Sequence, residues 1–510
     1  MLEFLSIVPL AQVVTSAPPV APSYLSREVL RVQEIRPLPG QLNTVPVFNS
    51  NSPEVIQSEG VLLSTFPPNG MRSPQAHLNY PLQGRFDFFA HHIARGVRPG
   101  DVRTMYMGIL VYNPTNRTVT LDVLQASSYL TQEAPFYDLP SYLSNPVGSV
   151  FAGPGSRATD SILRGNRQLG WPNRITIPPQ SSRLLVNLPI PLRDLSALQN
   201  GVPLPQHLLP TDPTEGLVDD AANPLGAIAM PPGTGTPAAT NQRPPTNGRT
   251  VLMHLQSDGP IYMANLAMYA RINANGSERA PSMTEWESML VQGNLVTPRD
   301  HPPTPPNQNS VARMFYGRVA GIAQGSEWTA RLTDTPNSDY LSIPQPGQAI
   351  SYVIASLERG TFGTGQVQSA PMLARYPDTA YLANGNYGIH YNLNIPLVNN
   401  TDTPQTVNLT LQTPLKDAEY QGGLRFLNPP DDNVFFRGTV RLQYEDDFGV
   451  PTTRYLHVVQ RRGQEGEPLV QLRMRRRSSR TVQVDFLYPP DSTPPQVFTI
   501  QTNPSILDRF

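Results

Sequence analysis

The 510-residue chain contains no cysteine. Thiol nucleophiles, cysteine-ligated zinc, iron–sulfur clusters and disulfides are therefore excluded. Lysine is nearly absent as well: Lys416 is the one lysine, and the other basic residues are arginines. A phosphate-binding loop needs Gly-Lys-Ser/Thr, and Lys416 follows Leu415 in "TPLKDAEY", so that loop is excluded too. The surroundings of Lys416 read as a polar turn, unsuited to Schiff-base chemistry. Charged residues make up only 15% of the chain, where about a quarter is usual. The net charge of −1 gives no global drive toward nucleic acid, and no nucleic-acid partner is expected. No run of 18 or more apolar residues occurs, so no transmembrane span is predicted. No metalloprotease motif, nucleophile elbow or cofactor loop is present, so no cofactor and no metal site is predicted. The glycines of "GTFGTG" at 360–365 lack dinucleotide spacing.

Proline is abundant, with 57 residues beside 36 glycines. Together they stay below the share that marks a low-complexity chain. The pattern is strands and turns. Val119, Leu121 and Val123 alternate with Thr118, Thr120 and Asp122, the two-residue period of a half-buried strand. "RTVLMHLQSDGPIYMANLAMYAR" reads as two strands joined at Ser257-Asp258-Gly259. The stretch 390–411 repeats the grammar of 105–125: a strand, an Asn-x-Thr turn, then a strand beginning near Thr-Val. One helix is expected in "SMTEWESML", where Ser282 and Glu285 have capping-box spacing and Trp286 falls on the apolar face.

These elements predict an all-β fold of two tandem β-sandwich-like domains, with long proline-rich loops and a few short helices. Residues 1–22 read as a signal peptide and proline-rich spacer, although no basic residue precedes the apolar stretch. The first sandwich spans 23–296, with a disordered insertion at about 200–248 that holds ten prolines. A proline-rich linker follows at 297–309, and the second sandwich spans 310–510.

Candidate functional residues are few. Arg473, Arg475, Arg476, Arg477 and Arg480 form one basic cluster in "RMRRRSSR". It is expected at a hairpin tip, where it could meet an anionic glycan, lipid or phosphate group. Trp328 in "GSEWTARL" is the candidate exposed aromatic for stacking on a sugar. Asp87 and His91 are four residues apart and would share a face, where the carboxylate could orient the imidazole for base catalysis. His457 reads as a hydrogen-bonded sheet histidine. The acidic stretches Asp431-Asp432-Asn433 and Glu445-Asp446-Asp447 read as solvated hairpin turns, with a sandwich-type calcium site as the alternative.

Four stretches carry a resemblance: "LPGQLNTVPVFNSNSPE", "GRFDFFAHHIAR", "YLANGNYGIHYNLNIPLVNNT" and "TRYLHVVQRRGQEGEPL". They resemble the cyanobacterial family known as domain of unknown function 3370, over most of the chain from about residue 25. The resemblance implies cyanobacterial origin and a periplasmic, outer-envelope or extracellular location. It supplies no activity and no catalytic residues. The expected function is an exported structural or binding protein, with cell-wall or extracellular glycan as its partner. The alternative is an exported hydrolase of polysaccharide or peptide. The oligomeric state is left open.

Overall fold

The computed structural model describes residues 26–192, 245–306, 308 and 313–504. The expected leader and nearly all of the expected insertion lie outside the described residues. The fold is all-β: long strands dominate, and the described residues hold two α-helices, α1 (Ser156–Leu163) and α2 (Met283–Gln292).

The first sandwich is a twelve-stranded sheet folded into two layers. Its central strand, Leu82–Arg95, is buried on both faces. Phe86, Phe88 and Ala90 enter the core between the layers, against Met107, Ile109 and Met263, while Phe89 points toward the second sandwich. A strand buried on both faces reads as a continuous apolar run, which explains "FDFFA". The expected pair of strands around Ser257 is one continuous strand, Thr246–Tyr269. Its register shifts between Ser257 and Ile261. Its first part pairs with Leu82–Arg95 and Val119–Leu130, and its second with Thr104–Asn113 and Gly60–Ser64. The turn residues therefore bend a strand from one layer to the other instead of ending it.

The second sandwich packs a seven-stranded sheet on a five-stranded one. Leu393, Ile395, Val440 and Val484 from the former meet Val407, Leu409, Leu472 and Ile500 from the latter. Pairing crosses the expected linker at 297–309. Glu34–Arg36 lies parallel to Ala349–Ile354, and Tyr142–Ser144 pairs with Pro451–Arg461. In the other direction, Ala320–Gln324 joins Pro46–Ser50 in the twelve-stranded sheet.

The two sandwiches repeat one connection pattern. In the first, Thr104–Asn113 arches over to the opposite layer and continues as Val119–Leu130. Arg174–Ile177 pairs antiparallel with that strand, arches back, and becomes Ser181–Pro191 beside Thr104–Asn113. In the second, His390–Val398, Gln405–Gln412, Pro468–Met474 and Ser479–Leu487 take the same four steps. One layer of each then matches strand for strand. The order 174–177, 119–130, 246–269, 82–95, 46–50 corresponds to 468–474, 405–412, 496–502, 349–354, 34–36, and the last pair is parallel in both.

The match extends to single hydrogen bonds. Asn113 Oδ1 accepts from the Thr115 amide at 2.9 Å and its hydroxyl at 2.7 Å, and Asn399 Oδ1 does the same with Thr401 at the same distances. The Asn113 side-chain amide donates to the Ile177 and Pro178 carbonyls; that of Asn399 donates to those of Met474 and Arg475. Gln180 N bonds Thr115 O, and Arg477 N bonds Thr401 O, each at 3.2 Å. Both donors have positive φ, 47° and 49°. One asparagine thus ties two arches together in each sandwich, which is why the Asn-x-Thr turn recurs.

Candidate functional site

Asp87 and His91 share a strand and a face, but four residues of strand separate them by about 13 Å. Each meets a different partner across the ladder, where Asp87 lies opposite His254 and His91 opposite Thr250. His91 Nδ1 is 2.8 Å from Thr250 Oγ1, and burial pushes its pKa down to about 3. Asp87 is ion-paired with Arg85 and stands 3.8 Å from His254 Nε2. The expected Asp87–His91 pair is replaced by Asp87–His254, a contact made by register rather than by sequence spacing.

Across the seam, on the second sandwich, His390 Nε2 is 3.3 Å from Asp485 Oδ1. Asp485 is fully buried and also takes Arg441, with Nε at 3.1 Å. Burial pushes the Asp485 carboxyl up, but the His390 and Arg441 bonds outweigh it and hold the pKa below the usual range. Burial lowers the His254 pKa, Asp87 opposes that, and nearby Arg85 and His390 add to the lowering.

Asp87 and His254 line a cavity between the sandwiches, together with Asn49, Ser326, Asn386 and Gly388. Its volume is about 20 Å³, room for about one water molecule. The side-chain oxygens of Asn49 and Asn386 are buried there without a protein partner. Ser326 is held by Asn43, which accepts from its amide at 2.9 Å and donates to its hydroxyl at 3.4 Å. The cavity thus offers an imidazole–carboxylate pair that could hold a proton. It offers neither an activated hydroxyl nor space for a sugar ring or a peptide.

Trp328 is not exposed. It retains 5% of its surface, and its indole Nε1 donates to the Pro39 carbonyl at 2.8 Å. A five-residue strand beside His390–Val398 carries it into the core, so it offers no stacking face. His457 is buried, but neither ring nitrogen has a hydrogen-bond partner among the described residues, contrary to the expected hydrogen bond. The acidic turns use their oxygens locally. Asp431 accepts from Asn433 N and pairs with Arg462, and Asp446 accepts from the amides of Phe448 and Val450. Among the described residues no group of three or more His, Asp or Glu could hold a metal ion.

In the arginine cluster Arg473, Arg475, Arg476 and Arg477 are exposed, while the Arg480 side chain is largely covered. The cluster does not form a hairpin tip. Pro468–Met474 belongs to the five-stranded sheet and Ser479–Leu487 to the seven-stranded one, so residues 475–478 arch between sheets. Arg477 pairs with Asp402 at 2.9 Å and Arg480 with Asp447 at 2.7 Å. Asp447 Oδ1 also accepts from the Arg473 amide. Arg475 and Arg476 are exposed and form no ion pair among the described residues. Beside Asp447 stands Phe448, with 90% of its surface exposed. Sequence reasoning passed over Phe448 because a hairpin turn gives no periodic signal.

These features define a class: an all-β protein of two sandwiches that share a connection pattern and the strand order of one layer, and whose second arch is cationic. The chain belongs to the DUF3370 family of proteins of unknown function, whose family model matches residues 33–502. Among curated proteins, none matches the chain.

Proposed function

We propose that this is an exported binding protein of the cell envelope or extracellular space, and that its ligand is a glycan. One observation carries the non-catalytic part of the reading. The cavity lined by Asp87 and His254 admits about one water molecule and leaves no room there for a sugar ring, which directs the reading to the surface. The exposed Arg475 and Arg476 of the cationic arch, with the exposed Phe448 next to Asp447 in the adjoining hairpin, supply groups that suit a sugar polymer. The apolar stretch and proline spacer in residues 1–22 support export.

The test is co-sedimentation of the full-length protein with isolated peptidoglycan and with extracellular polysaccharide, with released sugar assayed in the same tubes. Saturable pelleting without release is expected. Release of sugar would turn the reading toward a hydrolase. Absence of pelleting with both materials would overturn glycan binding.

A further inference from the structure

We infer that the cationic arch of the second sandwich is a binding site for an acidic polysaccharide, with Arg475 and Arg476 as its free arms and Phe448 as its stacking face. This rests on the glycan-binding reading and narrows it. The argument comes from the repeat within the molecule. The first sandwich builds the same arch from Pro178-Pro179-Gln180-Ser181-Ser182-Arg183, and the second from Arg475-Arg476-Arg477-Ser478-Ser479-Arg480. The backbone is held identically in both, through Asn113 and Asn399, and Gln180 and Arg477 share the positive φ. Even the side chains at that position correspond. Gln180 Nε2 donates to Asn116 Oδ1 at 2.9 Å, and Arg477 Nε donates to Asp402 Oδ1 at 2.9 Å.

Arg477 therefore has a structural counterpart and a partner. Arg480 corresponds to Arg183 and is held by Asp447. Arg475 and Arg476 stand where the first sandwich has two prolines, so the arch forms without them. Two adjacent like charges, exposed and without an ion pair among the described residues, add repulsion. A ligand with regularly spaced anionic groups would supply the missing partners.

The chemistry points to a polymer of acidic sugars. A guanidinium presents a planar fork that matches carboxylate and sulfate oxygens in pairs. Asp447 joins the two elements: it takes the amide of Arg473 and the side chain of Arg480, and Phe448 follows it in the chain. An exposed ring in the hairpin tied to the arch can cover the apolar face of a sugar while the guanidiniums of the arch hold the acid groups of the polymer.

The test compares the full-length protein with Arg475→Ala/Arg476→Ala, with Phe448→Ala, and with Arg183→Ala as the counterpart control. The probes are heparin, polygalacturonate, neutral dextran and phosphatidylglycerol vesicles. Wild type is expected to bind both acidic polysaccharides and not dextran, and to weaken as salt rises. The double variant should lose at least about tenfold in affinity, or ~1.4 kcal/mol, with an unchanged Tm. Phe448→Ala should weaken binding, and Arg183→Ala should bind as wild type. Equal binding of dextran, with the arginine variant unaffected, would overturn the inference and leave glycan binding standing. Binding to vesicles and to neither acidic polysaccharide would overturn it in favour of a lipid partner. Failure to bind heparin and polygalacturonate would overturn the inference, and failure also in the peptidoglycan and polysaccharide co-sedimentation would remove the wider reading as well.

Discussion

His457 lies opposite Thr439 in the seven-stranded sheet, and both of its ring nitrogens are buried without a hydrogen-bond partner among the described residues. Desolvation, with Arg437 adding to it, holds its pKa down at about 4. Burial does the same to His92, at about 4, and to His91, at about 3. An unfolded histidine titrates near 6.5. Between about pH 6.5 and 4 the unfolded chain therefore binds more protons than the folded one. Stability from these residues is complete above pH 6.5 and declines as pH falls toward the folded values. A series of melting curves should show Tm falling through that window. His457→Leu removes one contributor and two unsatisfied nitrogens. It should leave stability at pH 7 unchanged or raise it by about 1 kcal/mol, and its Tm should fall less between pH 6.5 and 4. A Tm independent of pH from 7 to 4 would contradict the argument. Sequence placed His457 on a strand correctly but could not show what surrounds it. A ring's partners come from elements far away in the chain.

The two helices differ in how openly they were written. In α2 the expected capping box forms: Glu285 N reaches Ser282 Oγ, and the Glu285 carboxylate takes the Ser282 amide at 2.7 Å. Trp286 is fully buried, as its position on the apolar face suggested. It lies against Gly108, where an added Cβ would come within 2.5 Å of the indole. Gly108→Ala should therefore cost about 1–3 kcal/mol by overpacking, read as a lower midpoint in urea unfolding with an unchanged slope. An unchanged midpoint would mean that α2 does not dock as described. The other helix, α1, was missed. Seven of its eight residues are buried, Thr159, Asp160 and Ser161 among them, so it carries no polar-outside stripe. Asp160 is satisfied by Arg164 at 2.9 Å, a pair that a periodicity argument counts as surface. The arches were half legible. The Asn-x-Thr turns were visible, but not that each carries the chain from one sheet to the other. Turn chemistry fixes a local bend, and the destination of the next strand is set by which apolar face needs covering.

Local alternation was enough to identify an all-β chain, because most strands bury one face and expose the other. The partners of those strands were beyond it. A linker rich in proline at 297–309 suggested a clean division, yet strands on both sides of it complete each other's sheets. Separate expression of residues 23–296 and 310–510 tests this. Each half alone leaves sheet edges unpaired and should aggregate or fail to melt cooperatively, while co-expression should return a soluble complex. Two halves that each unfold cooperatively alone would show that the crossing strands are dispensable.

The strand Arg27–Arg31 pairs with Leu424–Asn428, and Glu34–Arg36 with Ala349–Ile354. The ribosome thus delivers the first strands long before their partners exist. At about 5–20 residues per second, the interval for some 400 residues is roughly 20–80 s. For that time the amino-terminal segment has no native neighbour. Its place in the fold is filled long after it is made, and anything that must read this segment as a linear chain has that interval in which to do so.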